Sequence, residues 1–212
     1  MKIKAIASVF KQTKQLRIWN EPNGVQWLSN CAAMYSMGGM PELTPETALR
    51  IFDIPEDECA KWDCNVGPLP EPMREAVASQ QYNSTPLEPI PTTIKSGGVS
   101  FFFLKDKASG EIIPIDEKYI KPLNDSDYIS FYLNKSVSGF EQVVCYDGLQ
   151  IIAVILPVTI GDEAASEILE IGMFLRSQEY SGIVRKMTSF ARTMPDELEN
   201  SEDVCDEQER LG

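Results

Sequence analysis

The longest uninterrupted apolar run in the chain is six residues, Ile151 to Leu156. So short a run limits a buried segment to strand length, and a bilayer-spanning helix needs roughly 20 apolar residues. Elsewhere apolar and polar residues alternate, the signature of half-buried strands. Gln15 to Trp19, Val25 to Leu28, Ala32 to Met37, Val99 to Leu104, Glu111 to Ile115, Tyr128 to Leu133 and Phe140 to Tyr146 read as strands. Leu149 to Val158 reads as a buried one. Turn signals separate them: Glu21-Pro-Asn-Gly24, Gly38-Gly39, Gly97-Gly98 and Lys107-Ala-Ser-Gly110.

Helical periodicity is confined to short stretches. Residues 3–14 place Ile3, Ile6, Ala7 and Phe10 on one stripe flanked by lysines. Leu43 to Phe52 carries a helix start, with Thr44 at the N-cap, Pro45 at N1 and Leu49, Ile51 and Phe52 as its apolar side. Asp116 to Leu123 suits a short helical turn. Asp162 caps a further helix through Gln178, with Ala164, Ile168, Ile171 and Leu175 at helical spacing. A weaker helix covers 180–192, and the acidic tail after Pro195 is expected to be disordered.

The implied class is α+β: two small blocks of mostly antiparallel sheet with short covering helices. The blocks are 1–64 and 96–178, followed by a weak helix and tail over 179–212. Between them, 65–95 holds Pro68, Pro70, Pro72, Pro86, Pro89 and Pro91 and reads as a linker, interrupted by a short helix from Met73 to Ser79. The blocks share a crude plan of strands, a glycine break, a proline and a short helix.

Composition removes several chemistries. There is no histidine, so no Ser-His-Asp or Cys-His nucleophile and no His-containing zinc site can be built. Cys31, Cys59, Cys64, Cys145 and Cys205 are odd in number and scattered, which reads as free thiols in a reducing cytoplasm. Neither a secretory leader nor a membrane span is read, and no cofactor or metal is expected. Net charge is −13, which opposes non-specific adhesion to nucleic acid. That charge is uneven. Lys2, Lys4, Lys11, Lys14 and Arg17 fall in the first 19 residues without one acid, whereas eight acids and one base fall in residues 195–212.

Several constellations have two readings. Asp106 followed by Asp116-Glu-Lys118 has the spacing of a Mg²⁺ nuclease site; equally, Asp116 caps the following turn and Lys118 is solvated. Asn124-Asp-Ser-Asp127 lacks the glycine and glutamate of a calcium loop and reads as a polar turn. The glycine pairs do not extend into a phosphate-binding fingerprint. The basic first helix is either an ordinary solvated face or a surface for phosphates. The acidic tail and Glu56 to Asp63 either confer solubility or mimic DNA toward a basic groove.

Ile113 to Leu123, Tyr128 to Leu133, Val143 to Tyr146 and Leu149 to Val158 together resemble the closing domain of a DNA polymerase sliding clamp. Tyr119, Ile120 and Leu123 match its short helix, and Leu156-Pro157 stands for the Met-Pro of its last strand. The chain is also similar to uncharacterised proteins carried by bacterial phages and integrative elements. The resemblance implies a non-enzymatic interaction protein, with Lys2, Lys4, Lys11, Lys14 and Arg17 toward DNA in transient contact. It implies a cleft of Tyr119, Leu123, Leu149, Ile151, Leu156 and Pro157 for a polymerase-like or host-enzyme partner, and assembly of several copies. An acidic DNA mimic that inhibits a host enzyme is the first alternative, and a Mg²⁺ nuclease the second.

Overall fold

Turn and cap chemistry set the ends of the first elements. Helix α1 (Ile3–Thr13) buries Ile6, Ala7, Val9 and Phe10 and stops at Lys14, which adopts a left-handed conformation with φ 53°. The chain turns directly into β1 (Gln15–Asn20), which pairs antiparallel with β2 (Gln26–Ser29). Their connection is the expected turn. Gly24 takes φ 86°, a conformation glycine adopts without steric cost, and its N–H donates to the Glu21 carbonyl. Strand β3 (Ala33–Ser36) completes a meander, and α2 (Pro45–Ile51) follows. Thr44 and Thr47 satisfy each other's main-chain N–H groups in a capping box. Ala48, Leu49 and Phe52 form the buried side of α2, whereas Ile51, expected there, is 40% exposed because it lies about 200° around the helix from Leu49.

The computed structural model describes residues 2–78, 84–96, 98–123, 128–136, 139–158 and 170. The expected helices at 162–178 and 180–192 and the tail therefore lie outside the described residues, apart from Glu170, which is helical. The remaining described elements are α3 (Glu56–Cys59), β4 (Asp63–Pro68), α4 (Glu71–Ala78), β5 (Thr85–Ser96), β6 (Val99–Asp106), β7 (Ile112–Asp116), β8 (Ile129–Lys135), β9 (Glu141–Asp147) and β10 (Gln150–Ile155). Two 3-10 turns, Glu117–Tyr119 and Lys121–Leu123, stand where a short helical turn was expected. Asp116 caps the first by accepting from Lys118 N–H.

The α+β class holds, with one architectural finding. The strands form a single ten-stranded sheet in the order β4-β1-β2-β3-β10-β9-β8-β5-β6-β7. Strands from 15–68 make one end and strands from 85–155 the other. They join where β3 and β10 pair antiparallel, Ala33 opposite Ile155 and Tyr35 opposite Ala153. The expected linker 65–95 is corrected: it holds most of β4, all of α4 and most of β5. Its prolines fit because β5 pairs with β8 over Thr85–Leu87 alone. Beyond that, Pro89 and Pro91 sit where no strand among the described residues pairs with one side and the ladder to β6 is broken between Ile90 and Thr93.

Two apolar layers flank the sheet. The larger packs α1, α2 and the 3-10 turns over one face through Phe10, Leu16, Ile18, Tyr35, Phe52, Leu104, Ile115, Leu123, Val143 and Ile155. The other lies under α4 and contains Trp27, Met34, Leu69, Ala76, Val144, Tyr146 and Val154. A bulge at Ile152 keeps Ile151 and Val154 on this second face although they are an odd three positions apart.

A helical segment followed by a three-stranded meander thus occurs twice: α1-β1-β2-β3, and the 3-10 turns with β8-β9-β10. The segments touch at the seam. Lys2 N–H donates to the Pro122 carbonyl at 2.9 Å, and the buried Tyr35 hydroxyl donates to the Tyr119 carbonyl at 3.0 Å. Burial pushes the Tyr35 phenol well above its ordinary pKa, so it remains a donor. Tyr35→Phe should leave the Tyr119 carbonyl unpaired in the core and cost about 1–2 kcal/mol, read as a lower urea midpoint at unchanged slope.

Candidate nucleic-acid interface

The five leading cations do not act as one patch. Lys4 and Lys11 lie with Ser8 along the exposed face of α1, at i, i+7 and i+4. Seven residues of helix separate the two ammonium stems by about 10 Å along the axis. Neither makes an ion pair among the described residues. Lys14 instead reaches Glu58 of α3 at 3.9 Å. Arg17 is turned in against β4: it donates to the Asp63 carbonyl at 2.8 Å and pairs with the Asp63 carboxylate. That hydrogen bond holds the Asp63 carboxyl below its usual range and raises Arg17. Lys2 sits at the α1 N-cap with its N–H on Pro122. Of the expected DNA-facing set, the geometry leaves Lys4 and Lys11 most clearly outward, and Arg17 serves the junction of β1 with β4.

The acidic stretch Glu56 to Asp63 is correspondingly divided. Glu58 is shared by Lys14 and Lys61, and Asp63 by Arg17, while Glu56 and Asp57 are exposed. The cationic first helix and the acidic stretch therefore neutralise part of each other. Exposed pairs of this kind contribute about 0–1 kcal/mol each.

The nuclease spacing does not assemble a site. Asp116 pairs with Phe101 across β7 and β6, five residues along β6 from Asp106. Five strand residues span roughly 16 Å, and an odd offset puts the two carboxylates on opposite faces. Each is already occupied. Asp106 accepts from Ala108 N–H at 2.7 Å and the Ser109 hydroxyl at 2.7 Å, closing the turn after β6. Asp116 lies 2.7 Å from the Lys118 ammonium, which sits 4.9 Å from the Tyr119 ring centroid. Burial opposes the charge on Lys118, but the Asp116 hydrogen bond, together with the charge of Asp116 and the neighbouring Tyr119, outweighs it and the pKa is raised. Among the described residues no cluster of three Cys, Asp or Glu side chains can hold a metal ion, and no helix is long and apolar enough to cross a membrane.

The expected partner cleft is also dispersed. Tyr119 and Leu123 are buried in the α1 layer. Ile151 belongs to the α4 layer on the opposite face. Leu149 is 90% exposed at the β9–β10 turn. Leu156 and Pro157 are half-buried past the end of β10, where Leu156 N–H donates to the Ala32 carbonyl. Alternation of β10 between faces separates what adjacency in sequence suggested. Cys31, Cys59, Cys64 and Cys145 are free, and burial pushes the Cys145 thiol far up.

One feature escaped sequence reasoning. Asn134 of β8 is paired with Gln142 of β9, and the β5–β8 register sets Ser84 beside Asn134. All three are at least nine-tenths buried on the α4 side. Gln142 donates to the Pro72 carbonyl at 3.1 Å, yet Ser84 Oγ, Asn134 Oδ1 and Gln142 Oε1 have no partner among the described residues. Asn134 and Gln142 occupy inward positions of alternating strands, a signal the sequence does carry.

Asn134→Val should therefore stabilise the fold by about 1 kcal/mol in urea denaturation, since it removes an unpaired oxygen and raises strand propensity. Asp106 yields a pH signature. Hydrogen bonds from Ser109 and Ala108 lower its carboxyl below the ordinary 3.8, so its contribution is present above that value and fades as pH falls through the lowered one. The melting-temperature gap between the parent and Asp106→Ala should be constant above about pH 5 and shrink on further acidification. Neither a protein-family model, nor a curated protein, nor a solved structure matches the chain.

Proposed function

We propose that the chain is a non-enzymatic interaction protein of a phage or mobile element, clamp-like in plan, that lays the outer face of α1 along DNA. The observation that carries this reading is the duplicated layout. Two helical segments meet at one seam on the same side of a continuous sheet, each leading into its own three-stranded meander. On that side Lys4 and Lys11 are presented outward on a rigid helix. Two cations on a body of net charge −13 give weak, salt-dependent contact, suited to movement along a duplex rather than to capture of one sequence. The saturated Asp106 and Asp116 carboxylates support a role without hydrolysis. The chain alone cannot encircle a duplex in this reading, so several copies assemble.

The test pairs light scattering with a duplex-DNA titration at several salt concentrations. The proposal expects self-association and a DNA affinity that falls with salt. Lys4→Glu with Lys11→Glu should abolish binding at moderate salt, and the corresponding alanine pair should reduce the log–log slope by about 2. A monomer that ignores DNA at low salt overturns it. Tight binding to a basic protein without DNA contact would replace it with the DNA-mimic reading, for which Glu56 and Asp57 are the exposed acids.

A further inference from the structure

Strand β4 is one margin of the sheet and runs parallel to β1. Asp63 N–H donates to the Lys14 carbonyl and Leu69 N–H to the Asn20 carbonyl, so the odd-numbered residues turn their main chain toward β1. In an extended strand alternate residues face opposite neighbours. The N–H and C=O groups of Cys64 and Val66, with the Pro68 carbonyl, therefore face outward. Among the described residues no strand pairs with this margin, and Val66 is 46% exposed on it. Beside it opens a cleft of about 480 Å³ between α2, α3 and β4. Its floor is apolar, formed by Leu49, Ile54 and Trp62 with the Cys64 thiol. Its rim carries Glu46 and Glu56 against one base, Arg50. None of these three makes an ion pair among the described residues.

An open strand margin beside an apolar cleft has the two parts of strand-addition recognition: main-chain hydrogen bonds for affinity and a side-chain pocket for selectivity. We propose that β4 and this cleft take an extended segment of a partner protein, seating one bulky apolar residue with a Lys or Arg next to it. Outward Cys64 and Val66 supply two donors and two acceptors, enough to fix register. The rim acids select the cationic neighbour, and the −13 net charge of the chain favours the same sign of partner. The site is separate from the outer face of α1, so it stands or falls independently of DNA contact.

The probe is a set of short blocked peptides with a central Leu, Ile, Phe or Met between Thr residues, flanked by Lys or by Glu. Lys-flanked members should bind the full-length protein, shift the Cys64 and Val66 amide resonances first and slow alkylation of Cys64 by iodoacetamide. Val66→Pro removes one outward donor at a margin position that tolerates proline, and should weaken binding about tenfold with the melting temperature retained. Glu46→Lys with Glu56→Lys leaves the β4 main chain unaltered and should switch preference to Glu-flanked peptides, which tests the site even where the proline variant unfolds. The proposal is overturned if no peptide of the set binds, if the rim exchange leaves preference unchanged, or if β4 pairs with a second copy, seen as self-association that Val66→Pro abolishes.

Discussion

The pairing of β3 with β10 is the interaction on which the rest of the structure depends. It joins Ala33 to Ile155 across most of the described chain, and every strand lies on one side or the other of it. Each meander alone is a three-stranded sheet with apolar residues on both faces, which must be buried against other elements to be stable. Joining them lets α1 and the 3-10 turns cover both at once, so Phe10, Tyr35, Leu123 and Ile155 belong to one core. The Tyr35 hydroxyl on the Tyr119 carbonyl and the Lys2 N–H on the Pro122 carbonyl then fix the angle at which the segments meet. A β3–β10 contact made of apolar packing alone would be free to slip; two buried main-chain acceptors, each with one donor, are not.

Charge is organised by the same closure. In the sequence, a block without acids precedes a block rich in them. In space, α3 and the start of β4 fold back beside the end of α1 and the start of β1, so Lys14 meets Glu58 and Arg17 meets Asp63. The cations nearest the helix end serve the junction, and those along its outer face are left to solvent. Position on the helix, not the count of lysines, decides which charges can reach a polyanion. Screening reinforces this, because at physiological salt a charge acts over about 8 Å.

Much of the fold was legible because strand alternation and turn chemistry are local. The Glu21–Gly24 turn, the Thr44 cap with Pro45, and the bounds of α1 and β1 to within one residue follow from residues within a few positions of each other. The 65–95 segment was misread because proline is a breaker only where both sides of a strand are paired, and pairing is set by distant residues. Residues of the partner cleft were misplaced for a related reason. Leu149, Ile151 and Leu156 are near in sequence, but a strand sends its side chains to both faces, and the bulge at Ile152 shifts the alternation again. Asp106 and Asp116 matched a spacing, yet the register of β6 against β7 holds them apart.

The margins of the sheet differ in how they are guarded. At β7, Pro114 removes a donor and its carbonyl accepts Val158 N–H, so the chain beyond β10 occupies that side. The half of β5 beyond Leu87, unpaired on one side among the described residues, carries Pro89 and Pro91 and a broken ladder, both of which discourage a further strand. At β4 the guard is weaker: Pro68 at the final position and the charge of Asp63, which Arg17 already engages. Uniform protection would be expected if every margin faced the same hazard of unwanted pairing. The exception coincides with the apolar cleft beside Trp62, and with Cys64 and Val66, whose outward main-chain groups would otherwise be an unguarded liability. A margin that no strand pairs with among the described residues, next to a place for a side chain, is the arrangement a strand-binding surface requires.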